Sequence, residues 1–365
     1  MSTILFLLIS LFLFEAIFSA LLDKDKPEAV KGSYLVLDLS MNLTDRPSEL
    51  SLEDITKEAI TDERKPPSFH LKEVLDAIEK AQTDPKITGI FVKGSFRPDA
   101  YGCGYSAIHE LIQGLKDFKN TEKRVLGFFS APSQLDYLVY SICDELHMNP
   151  SGTLILNGLA NEQVFFGEAF ERYGVGVQVV RVGEFKGAVE PFISTQFSEE
   201  NRMQIARLLE LRWTNYLNTI SLHRGIEKEE LVMEQNQTFL FSPESCKEKG
   251  LVDFITPHGK MLDTLLELGV EDEDSEEYAH VDLIDYVDRS SSTVEKDSSP
   301  EIVEAKLALV YIEGTIVEGG ETMARLWEEM KLPSAFVKLQ EMTITRPLSY
   351  GSIVLVEVSL ARMQF

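Results

Sequence analysis

His70-Leu-Lys-Glu-Val-Leu-Asp-Ala-Ile-Glu-Lys-Ala-Gln-Thr-Asp-Pro-Lys-Ile-Thr-Gly-Ile-Phe-Val92 reads as a helix, a break and a strand in one continuous stretch. Leu71, Val74, Leu75 and Ile78 recur at helical spacing, which predicts a helix over 70–81. Asp84-Pro85 ends it, because proline lacks the N–H that a helix interior uses. Ile87 to Val92 then has the continuous apolar character of a buried strand. The same alternation extends both ways. Tyr34-Leu-Val-Leu-Asp-Leu39 is a β-rich apolar run upstream; Ser106–Phe118 is a second striped helix and Arg124–Phe129 another strand downstream. Strands alternating with helices imply an α/β fold on a largely parallel sheet. Further along, the pattern predicts a helix at 135–143, a strand at 145–148, a turn at Pro150-Ser-Gly152, a helix at 164–173 and a strand at 176–182. A long helix follows at 198–223, with Leu208, Leu211, Tyr216 and Ile220 among its apolar positions and Trp213 and Tyr216 as packing aromatics. Cys246-Lys-Glu-Lys-Gly-Leu-Val-Asp253 reads as a helix closed by glycine and then a strand.

With 365 residues, of which 44% are hydrophobic, the chain can build about two to three cored domains. Its 35 basic and 60 acidic residues leave a net charge of −25, a surface that repels phosphates, so a nucleic-acid partner is excluded. Cys103, Cys143 and Cys246 are odd in number and far apart, which indicates small buried hydrophobes instead of a disulfide framework or a zinc site. The six histidines, His70, His109, His147, His223, His258 and His280, are isolated and show no metal-ligand spacing. No cofactor or metal is expected.

Thr3 to Leu22 is an apolar run interrupted only by Glu15, long enough to span a bilayer. It lacks a basic start, and Ser19-Ala20 makes a poor cleavage site, so an uncleaved anchor is preferred to a removed signal peptide or a buried core helix. Residues 1–26 are thus read as anchor and linker, 32–268 as the main α/β domain, 269–304 as an acidic, serine-rich connector and 305–365 as the start of a second repeat. The repeat rests on two alignments, Leu309–Glu318 with Val36–Asp45 and Gly351–Ser359 with Ile87–Ser95.

Arg181-Val-Gly-Glu-Phe-Lys-Gly-Ala-Val-Glu-Pro-Phe192 sets one lysine, Lys186, among small and apolar residues. A solvated lysine is a cation with a pKa near about 10.4 and no base at neutral pH. An apolar setting disfavours its charged form and can free it to take a proton. Composition alone favours a surface lysine on a turn, and the surroundings must decide.

Those surroundings carry a resemblance. Val180 to Phe192 resembles the lysine motif of the signal peptide peptidase A, or protease IV, group of peptidase family S49. The similarity continues through Pro150–Gly158, Trp213–Thr219 and Lys249–Asp253, and covers roughly 32–325 of the long, duplicated form. The resemblance implies a ClpP/crotonase-like spiral of ββα units, one complete and a second only begun. It implies a membrane-anchored serine endopeptidase, outside the cytoplasm, that degrades cleaved signal peptides as a homo-oligomeric ring. Its dyad would use Lys186 as general base towards a serine.

The serine motif of the family falls in the part of the second repeat that this sequence does not contain. In the first repeat Gln134 stands at the nucleophile position, 52 residues before Lys186, and an amide is no nucleophile. Ser133 is the neighbouring candidate, but one residue along a helix turns a side chain by about 100°. Gly102 and Gly104 could bring backbone N–H groups towards an oxyanion, and a tight turn explains them equally well. Two readings therefore stand: a serine peptidase whose nucleophile comes from elsewhere, and a catalytically inactive relative serving as a binding or scaffold subunit. Crotonase-type acyl-CoA chemistry shares the fold but has no support in the sequence.

Overall fold

In the computed structural model, residues 29–45, 67–97, 104–180, 183–272, 277–292, 308–310 and 354–356 are described, with the side chains of 233–237 and 288–292 left aside. The anchor run 3–22, the insertion 51–64, Cys103 and Gly102 lie outside the described residues. The chain divides into two units, 1–295 and 296–365.

The frame of the first unit is a parallel six-stranded sheet. In chain order its strands are β1 (Ser33–Asp38), β4 (Ile87–Lys93), β5 (Arg124–Phe129), β6 (Glu145–Met148), β9 (Phe254–Ile255) and β10 (His280–Asp282), arranged β10-β1-β4-β5-β6-β9. Tyr34, Leu35, Val36 and Leu37 are all buried because β1 is covered on both faces, which is why it reads as an unbroken apolar run. Alternate residues serve different cores. Leu35, Leu37, Ile90, Val92 and Val125 pack on one face, and Tyr34, Val36, Phe91, Leu126 and Phe128 on the other.

The first face is closed by α1 (Leu71–Thr83) and α2 (Tyr105–Lys119). α1 buries Leu71, Val74, Ala77, Ile78 and Ala81; α2 buries Ala107, Ile108, Leu111, Ile112, Leu115 and Phe118. Each large aliphatic buried this way contributes about 1.5–3 kcal/mol, enough to hold helices that have no side-chain N-cap. The short α3 (Gln134–Tyr140) completes that layer. The opposite face is covered by α9 (His258–Leu268) through Met261 and Leu265, together with Tyr278.

Two small sheets stand beside the main one: β2 (Asn42–Thr44) with β3 (Ser68–His70), parallel, and β7 (Leu154–Ile155) with β8 (Leu240–Phe241), antiparallel. Main strands and helices thus alternate as the chain steps across the parallel sheet. Among the described residues a short strand follows β1 and β6 only, so the α/β architecture expected is present while the ββα unit is not repeated at β4 and β5. In the second unit, β11 (Ala308–Val310) pairs with β12 (Val354–Val356) antiparallel, whereas β1 and β4, their aligned counterparts, are parallel.

Residues 156–225 form an arm with little core of its own. It contains α4 (Gly167–Arg172), α5 (Glu190–Ile193) and α6 (Glu199–Arg224). Ser198 caps α6 through Asn201 N–H, and Gly225, at φ +66°, closes it in the left-handed conformation that suits glycine. Leu208 and Leu211 face solvent, because only the last third of α6 reaches the core, through Tyr216, Leu217 and Ile220. The strand expected at 176–182 is absent over its described residues 176–180, which find no neighbouring strand to pair with. The helix expected at 164–173 shortens to α4. The segments α7 (Lys228–Gln237) and α8 (Pro243–Glu248) lead back to β9, and α10 (Leu283–Ser292) follows β10.

Cys143 and Cys246 are buried, and burial pushes each thiol up to about 12, so both behave as the small hydrophobes expected. Trp213 stacks on Tyr216 at 4.8 Å, a packing contact as expected.

Candidate active site

Lys186 is exposed and stands at the start of a single 3₁₀ turn, Gly187–Val189, that runs into α5. The desolvated setting that the motif suggested is therefore not made by this chain's own described residues. What the chain does build is a rigid seat for the loop. Glu190, only 2% exposed, accepts hydrogen bonds from Ser198 N (3.1 Å), Ser198 Oγ (2.5 Å) and Asn201 Nδ2 (2.9 Å). The first turn of α6 is thereby tied to the residue four positions after the lysine. The close approach demands glycine at 187, where a Cβ would run into the side-chain amide of Asn201. A carboxylate with three donors, two on one helix N-terminus, is a strong anchor in a buried place.

Ser133 is the N-cap of α3. Its Oγ accepts from Asp136 N–H (3.1 Å), while Asp136 Oδ2 accepts from Ser133 N–H (2.7 Å), a reciprocal capping box. The other Asp136 oxygen accepts from Phe96 N–H at 2.9 Å, which fixes the loop after β4 onto the start of α3. Tyr140 OH holds the same loop by donating to Gly94 O at 2.6 Å. Ser133 thus has a complete structural role, and its hydrogen bonds all stay within its own helix start.

Gln134 occupies the next position in a telling way. Its Nε2 donates to Gly158 O (3.0 Å) and its Oε1 accepts from Gly158 N–H (2.9 Å). The amide reads both groups of one residue's backbone, as a neighbouring strand would. Gly158, at φ +77°, is held in a conformation that glycine adopts without strain. Gly104 caps α2 with an ordinary extended backbone, φ −72° and ψ 153°, and open space where a Cβ would be, so neither its conformation nor its surroundings require glycine. The structure therefore brings Ser133, Gln134 and the β4 loop together, and sets Lys186 on a separate tethered loop.

The Ser133-x-x-Asp136 box was legible as a capping signature. The anchoring role of Glu190 was not, since it depends on partners eight and eleven residues away that meet only through the α5–α6 turn.

The fold and the site together define an α/β domain with a parallel sheet, a tethered lysine loop and a capped α3 start. Residues 117–268 match the model of peptidase family S49. Among curated relatives, Protease 4 of Haemophilus influenzae is 27% identical over 309 residues, 80% of this chain and 49% of its own length. The chloroplastic serine protease SPPA of Arabidopsis thaliana is 30% identical over 202 residues, 55% of this chain and 29% of its own. The chain spans about half the length of the Haemophilus relative. A solved enoyl-CoA hydratase/isomerase family protein from Silicibacter pomeroyi superposes with a TM-score of 0.33 at 11% identity, covering 54% of this chain and 69% of its own, a likeness too slight to carry an argument.

Proposed function

We propose that the chain is the lysine-bearing part of an S49-type serine peptidase held at a membrane by residues 3–22, with its remaining part outside the cytoplasm. Its substrates are peptides such as cleaved signal peptides, and it works as a homo-oligomeric ring. The observation that carries this reading is the position of Lys186: inside the family-matched region, on a loop locked by Glu190. In the reaction, neutral Lys186 takes the proton of a serine supplied by another segment, and the serine oxygen attacks the peptide carbonyl. Backbone N–H groups hold the oxyanion, and the lysine returns its proton to the departing amine. Water then hydrolyses the acyl ester. Among the described residues no helix is long and apolar enough to cross a membrane, and the run 3–22 lies outside them.

A second reading, a catalytically inactive binding or scaffold subunit, is favoured by Gln134, whose amide fills the nucleophile position and is engaged with Gly158. A fluorophosphonate probe and a quenched apolar peptide separate the two. The purified chain alone is expected to show neither labelling nor cleavage. Labelling at Ser133 would refute the assignment of that serine to the helix cap. Cleavage restored by a serine-bearing S49 segment, and abolished by Lys186→Ala, supports the dyad; cleavage indifferent to Lys186→Ala removes it, and no restoration leaves the scaffold reading.

A further inference from the structure

Among the described residues three buried side-chain polar atoms have no hydrogen-bond partner: His147 Nε2 and the hydroxyls of Tyr105 and Tyr216. The two hydroxyls belong to one place, between the first turn of α2 and the second half of α6. Tyr216 is only 4% exposed and stacks on Trp213, and the Tyr105 ring meets His109 edge-on at 4.5 Å. Tyr105, Trp213, Phe96 and Leu135 all pack, partly buried, against the core that contains Tyr216. Burial pushes both phenols up; Tyr137, Tyr105 and Asp136 add to the rise at Tyr216, and the Arg212 guanidinium draws Tyr105 back. Both therefore stay protonated donors at neutral pH. A buried hydroxyl without an acceptor is unfavourable, and two neighbouring ones suit one shared acceptor.

Charge selects that acceptor. α2 starts with no side-chain N-cap and no acid in its first turn, so its own side chains leave its positive end uncompensated. Arg212 is exposed and forms no ion pair among the described residues. Asp136 is the one carboxylate acting on Tyr216, and its oxygens already accept from Phe96 N–H and Ser133 N–H. Open space where a Cβ of Gly104 would stand leaves this end of α2 accessible. Two phenol donors and a planar guanidinium match the two oxygens of a carboxylate. The half-buried Phe96, Leu135 and Trp213 suit the apolar side chains of the peptide that carries it. Gln134, clamped on Gly158 next door, gives this place no nucleophile, so it binds without reacting.

We propose that Tyr105, Tyr216 and Arg212, at the start of α2, form a subsite for the carboxylate of an apolar peptide, chiefly its free C-terminus. A cleaved peptide differs from the chain it left by that one group, so the subsite would select released peptides over intact ones. The inference rests on the peptide substrates of the proposed function and not on its dyad. Its failure is therefore read by binding, and the dyad's by cleavage with Lys186→Ala.

The test uses the full chain in detergent, in a Trp327→Phe background, so that the remaining indole, Trp213, reports binding beside Tyr216. The probes are an N-acetylated leucine–alanine pentapeptide as free acid, the same peptide as C-terminal amide, and that amide with one alanine replaced by glutamate. The free acid is expected to bind with a dissociation constant on the order of 100 µM, and the amide at least about tenfold more weakly. Tyr105→Phe/Tyr216→Phe should bring the acid down to the level of the amide, leave the amide unchanged and leave the thermal midpoint unchanged or higher, since no hydrogen bond within the chain is lost. Arg212→Gln, at an exposed position, should weaken the acid and flatten its salt dependence. If the glutamate peptide binds as the free acid does and loses that binding in the same variants, the subsite stands with an acidic side chain as its source. Acid and amide bound equally by the parent chain, or a preference that both the double variant and Arg212→Gln leave intact, overturns the proposal.

Discussion

Gln134 shows how one side chain can settle a position's chemistry. Two neutral, part-buried hydrogen bonds to Gly158 are worth about 1–2 kcal/mol together, so Gln134→Ala should lower the unfolding free energy by that amount in urea titration. Gln134→Glu is the sharper test. A carboxylate keeps the acceptor for Gly158 N–H but turns a second lone pair towards Gly158 O, where the amide donated. Its folded pKa must rise above its unfolded value, so the variant should be the less stable of the two at pH 7 and recover as the pH falls towards 4. If it shows no such recovery, the amide is not acting as a donor. His223 gives the opposite sign. Burial, helped by Lys119, Lys116, His109 and Arg224, lowers it to about 4. Ser141 Oγ donates to Leu138 O, so His223 Nδ1–H donates to Ser141 at 2.9 Å, and the lowered pKa keeps the ring neutral at pH 7. An unfolded histidine binds a proton near pH 6.5, so between pH 6.5 and 4 the unfolded chain holds more protons. With allowance for the solvent that reaches part of the ring, stability should fall by about 2–3 kcal/mol across that window as the solution is acidified. His223→Asn, which retains a donor for Ser141, should flatten the slope.

The α5–α6 turn is where an element, more than a residue, carries the site. Its buried Glu190 holds three donors, so Glu190→Ala leaves Ser198 and Asn201 without their acceptor and should cost about 2–4 kcal/mol. The loss should appear in hydrogen exchange as faster amide turnover over 187–202, with the sheet strands unaffected; uniform loss of protection would mean that the turn is not a separate unit. The main elements around this turn were legible because their information is local. Leu71 to Ala81 and Ala107 to Phe118 bury one face at helical spacing, and β4 and β5 are mostly apolar runs bounded by turns. The pairings of β2 with β3 and of β7 with β8 were not legible, since they join residues far apart in the chain, Asn42 with Ser68 and Leu154 with Phe241. At the site, the lysine motif was visible as sequence, while its tether and the Gln134 clamp needed the fold. Val175–Val180 fails for the converse reason: its strand pattern is local, but a strand forms only where another chain segment offers hydrogen bonds.

At the scale of the whole molecule the dominant quantity is the charge of −25. Compaction gathers that charge and raises its self-repulsion, and association raises it again. The described surface ion pairs, such as Lys72–Asp76, Arg207–Glu210 and Lys260–Asp263, neutralise carboxylates locally and are each worth little. They leave the excess uncompensated. Screening shortens the reach of that repulsion from about 10 Å at 0.1 M salt to about 3 Å at 1 M. Raising sodium chloride from about 20 mM to about 500 mM should therefore raise the thermal midpoint and tighten self-association together. An interface built on salt bridges would respond the other way, loosening as salt screens its attractions. A single salt titration, followed by differential scanning fluorimetry and by sedimentation, thus tests two linked ideas. If both quantities rise, long-range repulsion opposes both the fold and association, and the contact between copies is apolar. If the midpoint rises while association weakens, the copies meet through charged groups whose attraction the salt screens.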